Sequence, residues 1–172
     1  VVHLNKSIED IMLNFRPTVR TAIRKAKKEK IVIRESNQYD AFYQILEKNL
    51  KLRHNVKPTH TLEEIKKIKE LFPEQIHLFT AEYNERVIAG VINFICNQQT
   101  ILAFYISHDT HFQNLKKLNL LFLKIFEWAV NSQYKYYDFG LFTDHQKPNI
   151  SLARFKESFG AEGILRKTMI LE

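Results

Sequence analysis

Apolar positions along this chain recur at two periods, and the switches between them predict the order of elements. Val19, Ile23 and Ala26 fall three and four residues apart behind Pro17, which suits the first position of a helix running to about Glu29. Ile31 to Arg34 reads as a short strand, and Phe42, Ile45, Leu46 and Leu50 give the buried face of a helix over 39–52. Thr61 followed by Glu64 is a capping box, and Leu62, Ile65, Ile68 and Leu71 line the helix it opens, which Pro73 stops. Three strand-like runs follow at 76–83, 86–95 and 100–107, separated only by Asn84-Glu85 and Asn97-Gln98-Gln99. Such short separators predict an antiparallel meander. Gly90, inside the second run, marks a bulge or a close approach of backbone. A long amphipathic helix over 118–132 then leads to a short strand over 136–141, with few polar breaks and ended by Gly140. A polar loop, a helix over 152–159 capped by Ser151 and stopped by Gly160, and a last strand over 164–171 complete the chain.

Three hairpin-linked strands followed by a strand–helix–strand crossover give a mixed, mostly antiparallel sheet flanked by helices, an α/β (α+β) fold. Residues 1–16 read as a lead-in and 17–172 as one domain, without internal repeats.

Composition narrows the functional classes. Hydrophobic residues at 45% and charged residues at 26% suit a folded globular domain. A lone cysteine, Cys96, excludes an internal disulfide and suggests a reducing, cytoplasmic setting and a structural thiol. No apolar run reaches the roughly 18 residues of a membrane span. The chain begins VVHLNK, without Met or a signal-peptide pattern, as a trimmed piece of a longer protein would. The formal charge of +7 favours anionic partners. Much of it lies on the first helix, where Arg16, Arg20, Arg24, Lys27 and Lys28 recur at spacings of three and four with no acid among them. A solvated face and a phosphate-binding face both fit that stripe, and Arg20 and Arg24 are the candidates for phosphate.

Asp138 and Lys156 are charged groups in otherwise apolar segments, and such groups need partners or a chemical role. A structural ion pair of Lys156 with Asp138 or Glu157 and a catalytic role for Lys156 both remain open. Asp138 lies near the carboxyl end of a sheet strand, where crevices form in open α/β sheets. Tyr105 on the third meander strand faces either the groove or the core. His108-Asp109-x-His111 has no third ligand close in sequence and reads as a polar loop, so no metal is expected. No Ser-His-Asp or Cys-His motif suggests a protein nucleophile.

The element order resembles the GNAT acyltransferase fold. VRTAIRKAKKEKIVIRES (19–36) resembles the segment opening the second lobe of Fem-type peptidoglycan aminoacyltransferases, and of acetyltransferase-like domains from bacterial polysaccharide and cell-envelope clusters. AEYNERVIAGVINF (81–94) is similar to the family's second and third strands. YKYYDFGLF (134–142) with NISLARFKESFGA (149–161) resembles its most specific segment, a strand ending in D-F-G and a helix carrying F-K-x-x-F-G. The same D-F-G in protein kinases accompanies a glycine-rich loop that this chain lacks. The resemblance implies transfer of an acyl or aminoacyl group to an amine of a cell-envelope precursor. It places Lys156 against the acyl donor and His54, otherwise a surface histidine, where acceptor-site loops lie, while Asp138, from its strand end, orients an amine, holds Lys156 or bonds to the following loop. Fem-type members usually carry two lobes, and there is length here for one.

The family's pyrophosphate signature, Q/R-x-x-G-x-G/A, falls on Gln113 to Leu118, where Gln113 is present and both glycines are replaced. Side chains there crowd the backbone cradle, leaving Lys116 and Lys117 to hold phosphate as point charges. Asn119 either caps the long helix or faces the groove. The implied donor is an acyl-CoA or an aminoacyl-tRNA. The implied partner is an anionic, phosphate-bearing substrate, either tRNA or a nucleotide- or lipid-linked precursor. Two rivals stay open: an acetyl-CoA-dependent N-acetyltransferase, and a non-catalytic basic module for RNA or anionic carbohydrate.

Overall fold

The computed structural model describes residues 1–144, 147–167 and 169, with the side chains at 53, 54 and 144 left aside. In chain order the elements are β1 (Val2–His3), α1 (Ile8–Leu13), α2 (Pro17–Ala26), β2 (Ile31–Glu35), α3 (Tyr39–His54), α4 (Leu62–Leu71), β3 (Ile76–Tyr83), β4 (Arg86–Asn97) and β5 (Thr100–His108). A 3-10 turn at Thr110–Leu115, α5 (Lys117–Asn131), β6 (Tyr136–Asp138), the two-residue strands β7 (Thr143–Asp144) and β8 (Lys147–Pro148), and α6 (Ile150–Glu157) follow. The main sheet runs β1-β6-β5-β4-β3-β2. Among the described residues only β5 and β6 pair in parallel; the other pairings are antiparallel. This is the mixed, mostly antiparallel sheet that the hydrophobic pattern predicts.

The expected helices form, with local differences in how they start. Pro17 occupies the first turn of α2, and Thr61 and Glu64 make both bonds of the capping box. The cap of α6 is Asn149, whose side chain accepts from the Leu152 N–H, so α6 begins two residues before the expected Ser151 cap would allow. Asn119 does not cap α5: it lies inside that helix, and the cap position is Lys116, in the left-handed region at φ 53°. β6 is shorter than expected, because Phe139 and Leu141 fall outside it. Residues 164–167 and 169 form no strand, and the rest of the last expected strand lies outside the described residues.

Residues 1–16, a lead-in by sequence alone, enter the core. Val2 pairs with Tyr137 along the outer edge of β6, and Val2, Leu4, Ile11 and Phe15 are buried. Two layers result. On one face α1, α2, α5 and α6 cover the sheet through Val19, Ile23, Leu121, Phe122, Phe126 and Phe159. On the other α3 and α4 cover it through Phe42, Tyr43, Leu46 and Ile65.

Among the described residues three register shifts shape the sheet, and the last leaves Cys96 as an extra residue between the Ile95↔Ile101 and Asn97↔Thr100 pairs at the β4–β5 turn. Ala81 pairs with Ala89 and Glu82 with Val87, so Ile88 is an extra residue in β4. Ile92 pairs with Tyr105 and Asn93 with Ala103, which makes Phe104 the extra residue in β5. Gly90 is explained by close approach: a Cβ there would sit 2.5 Å from Cδ2 of the Phe42 ring, which α3 presses onto the strand. Gly90→Ala should therefore cost about 1–3 kcal/mol through overpacking. Thermal unfolding checks this, with a fall of roughly 2–4 °C per kcal/mol expected for a chain of this size.

Candidate functional site

β6 pairs with β5 only from Thr100↔Tyr136 to Leu102↔Asp138. Above Leu102, β5 continues to His108 without β6, so its edge from Ala103 upward is open to a gap in the sheet. Ile101, Ala103 and Tyr137 are buried against the α5 layer. Alternation therefore turns Leu102 and its partner Asp138 to the α3–α4 face.

At the end of β6 the backbone turns away. Asp138 Oδ1 accepts the Gly140 N–H at 2.7 Å, and Gly140 takes a left-handed φ of 70°. The other carboxylate oxygen accepts from the Arg166 guanidinium. Lys156, on α6, is 7% exposed, and its ammonium donates to the carbonyls of Gly140 at 2.9 Å and Leu141 at 2.6 Å. Burial pushes the Lys156 ammonium below the ordinary lysine range, against the pull of the Asp138 charge. Lys156 thus bonds to backbone and feels Asp138 through space, while Asp138 bonds to its own loop and to Arg166. Two of the three ammonium protons have acceptors, and Lys156 lines a cavity of about 450 Å³. Phe139, Ile150, Ala153 and Leu165 supply apolar wall, and no residue of β5 contributes.

The remaining candidates fall in three places. Arg20 donates to the carbonyls of Leu13 and Phe15, both at 2.9 Å, and so ties α1 to α2. Arg16 gains an acid from another element, Glu157 of α6, at 3.2 Å. Arg24 is exposed and touches only Thr21 Oγ1 at 3.4 Å, while Lys27 and Lys28 are exposed without an ion pair among the described residues. Tyr105 lies on the α3–α4 face with its hydroxyl against His60. The side chain of His54 lies outside the described residues.

Around the start of α5, Gln113 is exposed in the 3-10 turn and its carbonyl accepts the Lys116 N–H at 3.2 Å. Lys116 is exposed and holds the left-handed turn that a glycine would take more readily. Asn119 lies inside the first turn of α5. Lys117 is 2% exposed, and its ammonium donates to the Asp109 carbonyl at 2.7 Å. Burial pushes it down to about 8, against the attraction of Asp109. The Asp109 carboxyl is itself buried, which raises its pKa. Bonds from the His111 side chain and backbone, with Arg86 nearby, overcome this and hold it below the usual carboxylate range.

Sequence reasoning missed three contributors. Arg166 closes on Asp138 from a segment expected to be strand. The Phe104 bulge carries no composition signal. His60 precedes the Thr61 cap, and that placement was its only clue.

A model of the acetyltransferase (GNAT) domain family matches residues 14–156. No curated protein matches the chain by sequence. Among solved structures, FemX superposes with a TM-score of 0.77 at 12% identity, over 92% of this chain and 57% of FemX. This chain therefore spans little more than half of FemX. An aminoglycoside acetyltransferase from an uncultured soil metagenomic sample gives 0.59 at 12% identity, over 83% and 97%. The C-terminal domain of a putative lysylphosphatidylglycerol synthetase from Agrobacterium fabrum gives 0.57 at 11%, over 81% and 50%. At these identities the likeness is one of fold.

The buried Lys117 charge yields a prediction. Its folded pKa lies below the ordinary lysine value of 10.5, so the cost of burying the charge is full below about pH 8 and vanishes as pH rises through 10.5. Lys117→Met should stabilise the protein near neutrality by about 3 kcal/mol at most, less the lost hydrogen bond. Melting both proteins between about pH 7 and 10.5 checks this. The variant's advantage should shrink as pH rises, and an advantage that grows contradicts the assignment.

Proposed function

This chain belongs to the GNAT acetyltransferase family, and from that premise we propose that it moves an acyl or aminoacyl group from an activated donor onto an amine of a cell-envelope precursor. The observation that carries the reading is Lys156: a buried ammonium, fixed by two backbone carbonyls, on the wall of a cavity at the end of β6. Its third proton has no acceptor among the described residues and can meet the oxyanion that forms when an amine attacks an activated ester or thioester. Phe155 and Phe159, on either side of Lys156 in sequence, pack on each other and into the apolar core. Lys156 is already oriented before any substrate arrives, so little reorganisation is needed when charge develops. Asp138, pinned by Gly140 and Arg166, keeps a negative charge nearby that favours an incoming ammonium.

Positioning carries the rest of the rate effect. The amine's nitrogen forms the new bond to the acyl carbon, the bond to the leaving group breaks, and the amine gives up one proton. In this reading Arg24, Lys27, Lys28 and Lys116 are the exposed cations that meet the phosphates of a nucleotide-, lipid- or tRNA-linked substrate. Arg20, half-buried and bonded to two carbonyls, shapes the base of that stripe. Support for an aminoacyl donor comes from the FemX likeness and from a phosphate turn built on Lys116 rather than glycine. We place the reaction in the cytoplasm, in keeping with the exposed free thiol of Cys96.

The test is transfer itself. Acetyl-CoA, longer acyl-CoAs and aminoacyl-tRNA are each offered with amine acceptors, and amide product is measured by mass spectrometry. One donor class should be turned over, with Lys156→Met lowering kcat by about 10²–10³-fold. Lys156→Arg keeps the charge and controls for loss of the backbone clamp. Full activity in a folded Lys156→Met protein, or no product from any donor, sinks the proposal.

A further inference from the structure

Successive residues of a strand point to opposite faces, and the β5 bulge breaks that rule at one place. With Phe104 as the extra residue, Phe104 and Tyr105 both lie on the α3–α4 face. Phe104 stacks on Phe94, with ring centroids 4.2 Å apart and planes at 9°, and Tyr105 meets Tyr43 edge-on at 6.2 Å. Phe94, Phe104 and Tyr105 are each only half-buried, so their rings form a shelf open to solvent. The shelf stands directly above Leu102, on the face to which Asp138 is turned, where β6 has left β5.

His60 closes one side. Its ring lies over Phe104 at 5.4 Å, and its carbonyl accepts the Tyr43 hydroxyl at 3.1 Å. The Tyr105 hydroxyl oxygen accepts the His60 backbone N–H at 3.2 Å and lies 3.4 Å from His60 Nδ1. The Nδ1 contact admits two tautomers: Nδ1 donating to the hydroxyl oxygen, or Nδ1 accepting the hydroxyl proton. In the first, Nε2 is a bare lone pair with no partner among the described residues.

We infer that this shelf is the amine-acceptor subsite, and that it takes a primary amine carried on a flat or apolar group, with His60 Nε2 as the proton acceptor. The inference rests on the acyl-transfer reading and names its second substrate. The stacked rings provide apolar area and faces that attract an ammonium. Nε2 accepts from that ammonium and then takes one proton. The ammonium N–H bond breaks, an Nε2–H bond forms, and the electrons of the broken bond become the lone pair that attacks the acyl carbon; as the bond to the leaving group breaks, the nitrogen's second proton departs with that group. Tyr105 acts as a positioning residue: by occupying Nδ1 it leaves the basic nitrogen facing outward.

Nitrogen NMR of ¹⁵N-histidine-labelled protein tests this, recorded at about pH 8.5, above the ordinary histidine range. His60 is assigned by its loss in His60→Gln. The expected state has the proton on Nδ1, with Nε2 moving saturably as phenethylamine is added. Phe104→Ala should weaken that binding about tenfold, and Tyr105→Phe should release the proton from Nδ1. A wild-type proton on Nε2, or an Nε2 resonance that phenethylamine leaves in place, overturns the inference. Since the readout needs no acyl donor, a saturable shift without product counts against the transfer reading alone. Product formed while His60 stays unmoved counts against this subsite alone.

Discussion

The three-residue parallel contact between β5 and β6 is the constraint on which the site depends. β6 stops because its end is held elsewhere. Asp138 captures the Gly140 N–H, Gly140 adopts a conformation that leaves the strand, and Lys156 binds the carbonyls of Gly140 and Leu141 in the departing backbone. A buried ammonium without such partners would cost several kcal/mol. Two hydrogen bonds from a charged donor, each worth roughly 1.5–3 kcal/mol, offset that penalty. The same bonds hold the backbone that leaves β6, so Lys156 stands where the two strands part.

The layers on either side divide the work. Below the sheet, Phe15, Phe122, Phe126, Tyr137, Phe139 and Phe159 form a continuous aromatic cluster between α5, α6 and β6. A core of that density leaves α6 little freedom and thereby fixes Lys156. Above it, the α3–α4 layer is closed around Phe42 and Tyr43 but leaves the Phe94–Phe104 stack half-open. A rigid cationic wall and an open aromatic shelf, separated by the splay of two strands, suit a reaction that must bring two substrates together from opposite sides.

Much of the architecture was legible because its signals are local. The Thr61–Glu64 box, Pro17 and the short strand separators each act within a few residues, and all are realised, the second separator tightened to Gln98-Gln99 because Asn97 pairs with Thr100. What escaped depends on distant partners. Val2 and His3 form a strand only because Tyr137 and Tyr136 offer an edge, and two residues carry no period. Lys117 looks like a phosphate lysine in sequence, but the start of α5 folds its side chain inward onto Asp109. Arg20 belongs to a regular cationic stripe, yet the end of α1 and the following turn supply carbonyls that the pattern cannot show. Tyr105 was ambiguous by alternation, and a bulge decided it. Lys156 and Asp138 stood out as charges in apolar words. That they bond to backbone and to Arg166 rather than to each other required the fold.

The most direct test of the account is the state of the Lys156 ammonium. A lysine side-chain ¹H–¹⁵N spectrum, with Lys156 assigned by its absence in Lys156→Arg, reads that group alone. The account predicts an NH₃⁺ signal protected from exchange by its two carbonyl acceptors and shifted when an acyl donor that the protein turns over is added. A Lys156 signal that exchanges as fast as those of surface lysines, or that ignores the donor during turnover, would contradict it.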